Sequence, residues 1–235
     1  MRIDVISIFP EIFDSIKSYG ITAKALNKSL WMLNIWNPRL FAKYPNYRVD
    51  DRPYGGGPGM VMLAEPLEKT IEAIKKDRLC YEKKIDIPII YLTPAGKTFN
   101  NTIANDLSTK DGLIIICGRY EGIDQRLIDK YVNLELSIGD FILSGGEIAA
   151  IAIIDSIIRF LPGVLNDKES ALQDSFGAKI SGLLDTPHYT RPRIYNGINV
   201  PDILLNGNHK DISQWRKMQS IKITKKRRPD LLLKK

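Results

Sequence analysis

Short apolar runs separated by polar turns set the rhythm of this chain. Ile3–Phe9 is an apolar run stopped by Pro10 and predicts a strand. Glu11–Leu26 then sets Ile12, Phe13, Ile16, Tyr19, Ala23 and Leu26 at helical spacing. Leu30–Trp36 predicts a second strand, and Asn37–Tyr54, rich in Pro, Asn, Arg and Tyr, predicts a loop. The sequence Tyr54-Gly55-Gly56-Gly57-Pro58-Gly59 is incompatible with a regular element, because glycines around a proline mark turns and close backbone approach. A helix is predicted over Glu65–Lys76. Ile85–Leu92 reads as a strand interrupted by Pro88, followed at once by a turn at Thr93-Pro94-Ala95-Gly96. Asn101–Ser108 has a weak helical pattern. Leu113–Cys117 is a continuous apolar run of the kind buried on both faces of a parallel sheet. It leads into Gly118-Arg119-Tyr120-Glu121-Gly122 and a short helix near Asp124–Lys130. Val132–Ser137 predicts another strand, and Glu147–Phe160 is apolar enough to predict a buried helix.

Repeated strand–turn–helix units predict an α/β domain over 1–161 with a parallel sheet. The segment 162–175 mixes Gly, Asp, Asn, Lys and Ser and reads as a mobile connection. The remainder, 176–235, lacks a strand pattern and reads as a small helical domain anchored by Trp215 and Leu231–Leu233. No internal repeat is visible.

Composition narrows this picture only in places. An apolar fraction of 44% and a charged fraction of 26% over 235 residues are ordinary for a soluble globular protein. The net charge of +7 and pI near 9.3 suit a polyanionic partner and equally a merely basic protein. The distribution says more: Arg216–Lys235 holds nine Lys or Arg residues and one acid, Asp230. The block Lys225-Lys226-Arg227-Arg228 is dense enough to contact phosphates, or else it is a solvated, frayed tail. Two cysteines and two histidines give neither a disulfide framework nor a zinc site, and Cys117 reads as a small core residue. The chain begins with a strand-like segment instead of a charged region and an apolar h-region, so no signal peptide is expected. No apolar run approaches the roughly 18 residues of a membrane span. A reduced, cytoplasmic protein without membrane contact is the expectation.

Candidate chemistry lies in three loops that follow strands: Thr93–Gly96, Gly118–Gly122 and Gly139–Gly146. In open α/β sheets ligands bind outside the carboxyl ends of the strands. The stretch Ile138–Glu147, I-G-D-F-I-L-S-G-G-E, sets three glycines around an apolar run and opens a helix. It suits backbone packed against a flat ligand, such as a purine bordered by Leu92, Ile138 and Leu143. Glycines that merely make tight turns are the plainer alternative. No G-x-G-x-x-G follows the first strand, and neither G-x-x-x-x-G-K-[ST] nor G-x-S-x-G occurs, which weighs against dinucleotide, ATP and acyl-transfer chemistry. A second constellation joins Asp174-Ser175-Phe176 to Gly182-Leu183-Leu184-Asp185-Thr186-Pro187-His188-Tyr189-Thr190-Arg191-Pro192, in loop-like sequence where binding groups concentrate.

These residues together carry a specific likeness. The chain resembles the bacterial tRNA (guanine-N1)-methyltransferases, of the trefoil-knotted SPOUT methyltransferase superfamily. The likeness runs through Ile6–Pro10, Val49–Met60 (V-D-D-R-P-Y-G-G-G-P-G-M), Tyr91–Gly96, Cys117–Asp124 (C-G-R-Y-E-G-I-D) and Ser137–Glu147. It continues through Arg159–Leu165 (R-F-L-P-G-V-L), Asp174–Phe176, Gly182–Pro192 and Leu205–His209 (L-N-G-N-H), and so spans nearly the whole chain.

The resemblance implies a deep trefoil knot in the α/β domain, against the general rule that chains do not thread. It implies S-adenosylmethionine held against Tyr91, Leu92, Thr93, Pro94, Gly96, Gly118, Arg119, Glu121, Ile138, Gly139, Phe141, Leu143, Gly145 and Gly146. It further implies a homodimer with sites built across the interface. The acceptor would be the guanosine immediately 3′ of the anticodon of tRNA, with Asp174 on a mobile loop as the base for the N1 proton and Arg159 stabilising charge on O6. Glu121 is expected as a helper near the methionine end. Magnesium is associated with the family, and its position here stays open, because the acids show no metal-ligand spacing. Arg52, Lys210, Arg216 and the 225–228 block are expected to contact tRNA, while Asp185, His188, Tyr189 and Arg191 shape the base pocket or domain junction. Relative to longer family members, only Asp230–Lys235 follow Arg227-Arg228-Pro229; the expectation is that a shorter tail can lack a terminal helix and leaves the named catalytic residues in place. Two other readings are a knotted methyltransferase acting on another tRNA or rRNA position or on a ribose 2′-OH, and an inactive RNA-binding protein.

Overall fold

The computed structural model describes residues 1–80, 87–166 and 170–233. They form two compact units, Met1–Asn166 and Asp167–Lys235. In chain order the first unit contains Arg2–Ile6 (β1), Asp14–Ser18 (α1), Gly20–Asn27 (α2), Met32–Trp36 (β2), Asp50–Asp51 (β3) and Val61–Met62 (β4). It continues through Ala64–Leu79 (α3), Ile89–Thr98 (β5), Asn101–Ser108 (α4), Gly112–Cys117 (β6), Gln125–Tyr131 (α5), Leu134–Ser137 (β7) and Glu147–Ile158 (α6).

Five of these strands make one all-parallel sheet in the order β2-β1-β6-β5-β7. Its continuous apolar runs follow from burial on both faces, since successive side chains point to opposite sides. Ile3, Val5, Leu113, Ile115 and Cys117 pack in one core cluster with α6 residues Ala150, Ile153, Ile154 and Ile157. Ile6, Ile114, Ile116, Ile89 and Tyr91 pack in the other, with Leu67, Ile71 and Ile74 of α3 and Leu127 of α5. Helix starts are set by local chemistry: Asn100 and Asp124 accept from the Ile103 and Arg126 amides and cap α4 and α5. No helix among the described residues is long and apolar enough to cross a membrane.

Three expectations for this unit need correction. The single helix over Glu11–Leu26 is a 3-10 turn at Pro10–Phe13 followed by α1 and α2, with Tyr19 extended between them. Gly20, at φ +77°, turns the chain there, and the Thr22 hydroxyl donates to the Ile16 carbonyl at 3.0 Å, so the break leaves Ile16 and Ala23 both buried. The turn at Thr93–Gly96 is an excursion within β5: Leu136 pairs with both Leu92 and Lys97, so the intervening residues bulge from the ladder. The helix predicted over Glu65–Lys76 extends to Leu79, bringing the buried Arg78 onto it. Residues 85 and 86 of the expected Ile85–Leu92 strand lie outside the described residues.

The second unit contains Ser170–Gln173 (α7), Ile194–Tyr195 (β8), Ile198–Asn199 (β9) and His209–Arg227 (α8). The expected absence of strands is overturned by the β8–β9 hairpin, whose turn is Asn196-Gly197, both with positive φ. Of the expected anchors, Trp215 is half-buried against Tyr189, Leu231 and Leu232 are half-buried and Leu233 is 84% exposed, while α8 buries Ser220 and Thr224. The Leu184 amide donates to Thr224 Oγ1 at 3.0 Å and Ser220 Oγ donates to the Leu184 carbonyl at 2.5 Å. Small hydroxyl residues thus let the 183–185 segment lie against the helix backbone. Lys225, Lys226 and Arg227 ride the last turn of α8 as ordered helix, where cations complement its dipole, instead of fraying.

Candidate active site

The carboxyl ends of β5, β6 and β7 and the start of α6 enclose a pocket of about 240 Å³. Glycines make its wall largely main chain. A Cβ on Gly118 would sit 2.9 Å from the Tyr91 ring, and one on Gly146 would sit 2.8 Å from Cys117 Cα. Gly139 lies at φ +147°, with the Phe141 ring where its Cβ would project. These three positions therefore need glycine for reasons of space or backbone, and the alternative of mere turn-making does not describe Gly118 or Gly146.

Of the residues expected around a cofactor, Tyr91, Leu92, Thr93, Pro94, Gly118, Arg119, Glu121, Ile138, Gly139, Phe141, Leu143, Gly145 and Gly146 all line this pocket. Gly96 does not. Its missing Cβ makes room for β7, since a methyl there would come 2.5 Å from the Leu136 amide nitrogen. Tyr120, Gly122, Ile142 and Ser144 also line the pocket, within the two glycine loops named from sequence, and Leu136, Ser137 and Ala149 line it without having been expected as contacts. The last three flank those loops, so the packing of β5, β6 and β7 places them there. A separate cleft, bordered by Phe41, Lys43, Tyr44, Arg48 and Glu65, involves none of the expected site residues.

Glu121 and Arg119 are the charged residues that line the pocket, and Glu147 is buried behind Arg119. Glu121 is exposed, and its side chain occupies the space a Cβ on Gly59 would need. Its amide donates to the Met60 carbonyl at 2.9 Å, which joins the Gly-Gly-Gly-Pro-Gly loop to the Cys117–Asp124 motif. Arg119 lies over the Phe9 ring, 4.5 Å to its centroid, and its Nη1 donates to the Ser144 carbonyl at 3.1 Å. Its Nε is 2.9 Å from Oε2 of Glu147, a fully buried carboxylate whose Oε1 accepts from Ser7 Oγ at 2.7 Å. Ser7 and Glu147 were missed as site residues, although each stands in a motif that carried the resemblance. Burial pushes the Cys117 thiol well above its usual range, with Glu147 adding to the shift, which suits a core residue and not a nucleophile. Burial likewise raises the Tyr91 phenol. Among the described residues no group of three or more His, Cys, Asp or Glu is placed to hold a metal ion.

The remaining candidates are distributed as follows. Arg159 caps the end of α6 in the first unit, half-buried, and Asp174 follows α7 in the second, also half-buried. Arg52 is exposed beside β3. Within the second unit Asp185 and His188 meet at 2.9 Å, the Asp185 amide donates to Ser175 Oγ at 3.0 Å, and Tyr189 packs 6.4 Å from Trp215, centroid to centroid. Arg191, Lys210 and Arg216 are exposed.

Comparison with known proteins places this geometry in context. A family model described as tRNA (Guanine-1)-methyltransferase TrmD matches residues 1–234. The tRNA (guanine-N(1)-)-methyltransferase of Bordetella parapertussis is 51% identical over 232 residues, covering 99% of this chain and 90% of that protein. The protein of the same name from Chromobacterium violaceum is 51% identical over 234 residues, covering 99% of this chain and 89% of its own length. The one from Thiobacillus denitrificans is 48% identical over 232 residues, covering 99% and 96%.

Proposed function

The chain belongs to the tRNA (guanine-N1)-methyltransferase family, and from that premise we propose how its residues divide the reaction. The activity is methylation of guanine N1 in tRNA with S-adenosylmethionine as donor. The finer reading places the acceptor immediately 3′ of the anticodon. The observation that carries the donor site is the pocket itself: a main-chain wall at Gly118, Gly139, Gly145 and Gly146, with the Glu121 carboxylate lining the same space. Such a wall admits a flat base against backbone N–H and C=O groups, and Leu92, Ile138 and Leu143 supply its apolar contacts. The carboxylate suits the positive charge that the donor carries. When bound, the cofactor supplies a methyl group already activated on a sulfonium.

The protein's task is then alignment and proton removal. Guanine N1 holds a proton at neutral pH and is a poor nucleophile until that proton leaves. Asp174 takes it as the methyl transfers. The charge that develops on O6 is met by the guanidinium of Arg159. Glu121 orients the methionine end. Removing the guanine from its stack gives the reagent access to N1. Asp185, His188, Tyr189 and Arg191 shape its surroundings, while Arg52, Lys210, Arg216 and Lys225–Arg228 hold phosphates. Their exposure supports these contacts.

The first unit is read as the trefoil-knotted fold of the SPOUT superfamily, with Ile138–Gly146 as a knot loop. Two copies associate to complete each site. Support comes from the apolar surface bordering the pocket, where Phe141 is 53%, Ile142 81% and Ile148 55% exposed.

Asp174→Ala tests the proton acceptor. Cofactor affinity, by titration calorimetry, should stay near the wild-type value, while single-turnover methyl transfer falls about 10²–10⁴-fold. Unchanged transfer would remove Asp174 from this role.

A further inference from the structure

We propose that Glu147 is a positioning residue which, through Arg119, holds the Ser144–Gly146 wall of the pocket in the shape that receives the cofactor. The part concerning the cofactor rests on the donor-site reading above.

Glu147 is the first residue of α6 and is fully buried. A carboxylate there benefits from the free amides of the helix start, yet its burial demands partners of its own. One oxygen is satisfied by Ser7, whose hydroxyl gives its proton to Oε1 at 2.7 Å while its oxygen accepts from the Phe9 amide at 3.0 Å. That arrangement leaves the serine one orientation. The other oxygen, Oε2, faces Arg119 Nε at 2.9 Å, in ionic contact but off the line of a hydrogen bond.

Arg119 is thereby fixed on three sides. Glu147 lies along one edge, the Phe9 ring lies against its face, and Nη1 reaches the Ser144 carbonyl. The wall is fitted to this side chain, because a Cβ on Gly145 would collide with Arg119 Nε and Cδ. Arg119 and Gly145 also pair as an isolated antiparallel bridge, and the Gly146 amide donates to the Gly118 carbonyl at 2.9 Å. Three segments far apart in sequence are closed into one ring: Ser7–Phe9 after β1, Gly118–Arg119 after β6, and Ser144–Glu147, which runs into α6. The last two line the pocket or lead directly into it. None of these side chains is assigned to the reacting atoms, so the role is support of the binding surface.

Amide hydrogen exchange on the cofactor-free protein, with S-adenosylmethionine titrations alongside, tests this in wild type, Glu147→Gln and Arg119→Lys. Glu147→Gln keeps the shape and an acceptor for Ser7 but removes the charge opposite Arg119. Arg119→Lys keeps the charge but not the fork that reaches Ser144. In both variants exchange at residues 144–146 should accelerate about tenfold or more while β6 amides keep their protection, and the Kd for S-adenosylmethionine should rise about tenfold. Unchanged exchange at 144–146 would overturn the proposal, and so would an acceleration spread evenly over β6 and the wall, which marks plain loss of stability. Wild-type protein that fails to bind S-adenosylmethionine would refute the donor-site reading and the cofactor half of the proposal, while exchange alone would still decide whether Glu147 holds the wall.

Discussion

Two buried carboxylates meet arginine, Asp4 within the sheet and Glu147 at the start of α6, and their surroundings differ. Asp4, in the middle of β1, is fully buried and accepts from Arg2, Arg78, Asn34 and Trp36 at 2.7–3.2 Å. Arg78 is itself fully buried and also donates to the Arg2 and Leu113 carbonyls. Glu147 has one hydroxyl and one guanidinium edge, and its arginine is 16% exposed among pocket-lining residues. Both pairs carry the cost of desolvated charge. At Asp4 every direction is filled, so the network can only fasten β1 to its neighbours and to α3. At Glu147 the partners are fewer, and one of them continues into a surface that must accept a ligand. The number and onward connections of a buried charge's partners separate fastening from positioning better than burial does.

The largest expected effect is on the Asp4 side. Asp4→Ala leaves the Arg78 guanidinium buried without its carboxylate and should lower stability by about 3–5 kcal/mol in denaturant melts. Cofactor affinity of the protein that remains folded should be unchanged. A loss below about 1 kcal/mol would show that the closed network is not a fastening.

A matched pair of glycine substitutions sharpens the contrast at intermediate size. In Gly112→Ala the new methyl meets the Arg2 carbonyl and Arg78 Nη1, each at 2.5 Å, and should cost about 1–3 kcal/mol without altering cofactor binding. In Gly145→Ala the obstacle is the Arg119 side chain instead of backbone, and it can give way only by releasing Glu147 or Ser144, so the loss of stability should be no larger than at Gly112 while cofactor binding weakens. Melts and calorimetry on both variants check this, and the reverse pattern would collapse the distinction between the two ends.

The smallest effect belongs to a third, exposed network, where Lys130 Nζ and the Tyr131 hydroxyl both donate to Glu68 Oε1 at 2.7 Å. Burial, then the Glu68 contact, pushes the Tyr131 phenol up from 10.0 to about 12. The folded state keeps that proton after the unfolded chain has lost it. Its contribution is therefore complete below about pH 10 and is lost as pH rises toward about 12. Melting temperatures across that window should fall more for wild type than for Tyr131→Phe. Parallel curves would show that this exposed pair contributes nothing to stability.

The sheet and α6 were legible because residues buried on both faces leave unbroken apolar runs, as in Leu113–Cys117. The hairpin in the second unit was not, since Asn196-Gly197 is flanked by strands of only two residues each. Nor was the packing of α8, because Ser220 and Thr224 bury hydroxyls and leave no apolar stripe. The glycine wall of the pocket could be read because close backbone approach demands glycine. The Ser7–Glu147 contact could not, because it joins residues 140 apart and neither is unusual locally. Gly96 illustrates the converse: a glycine required by strand packing looks the same in sequence as one lining a pocket.

The most direct test is methyl transfer from labelled S-adenosylmethionine to a tRNA with guanosine immediately 3′ of the anticodon, beside the same tRNA lacking that guanosine, followed by nucleoside identification. The account predicts label on guanine N1 of the first tRNA and none on the second. Equal labelling of the two, or label on a ribose 2′-oxygen, would contradict it.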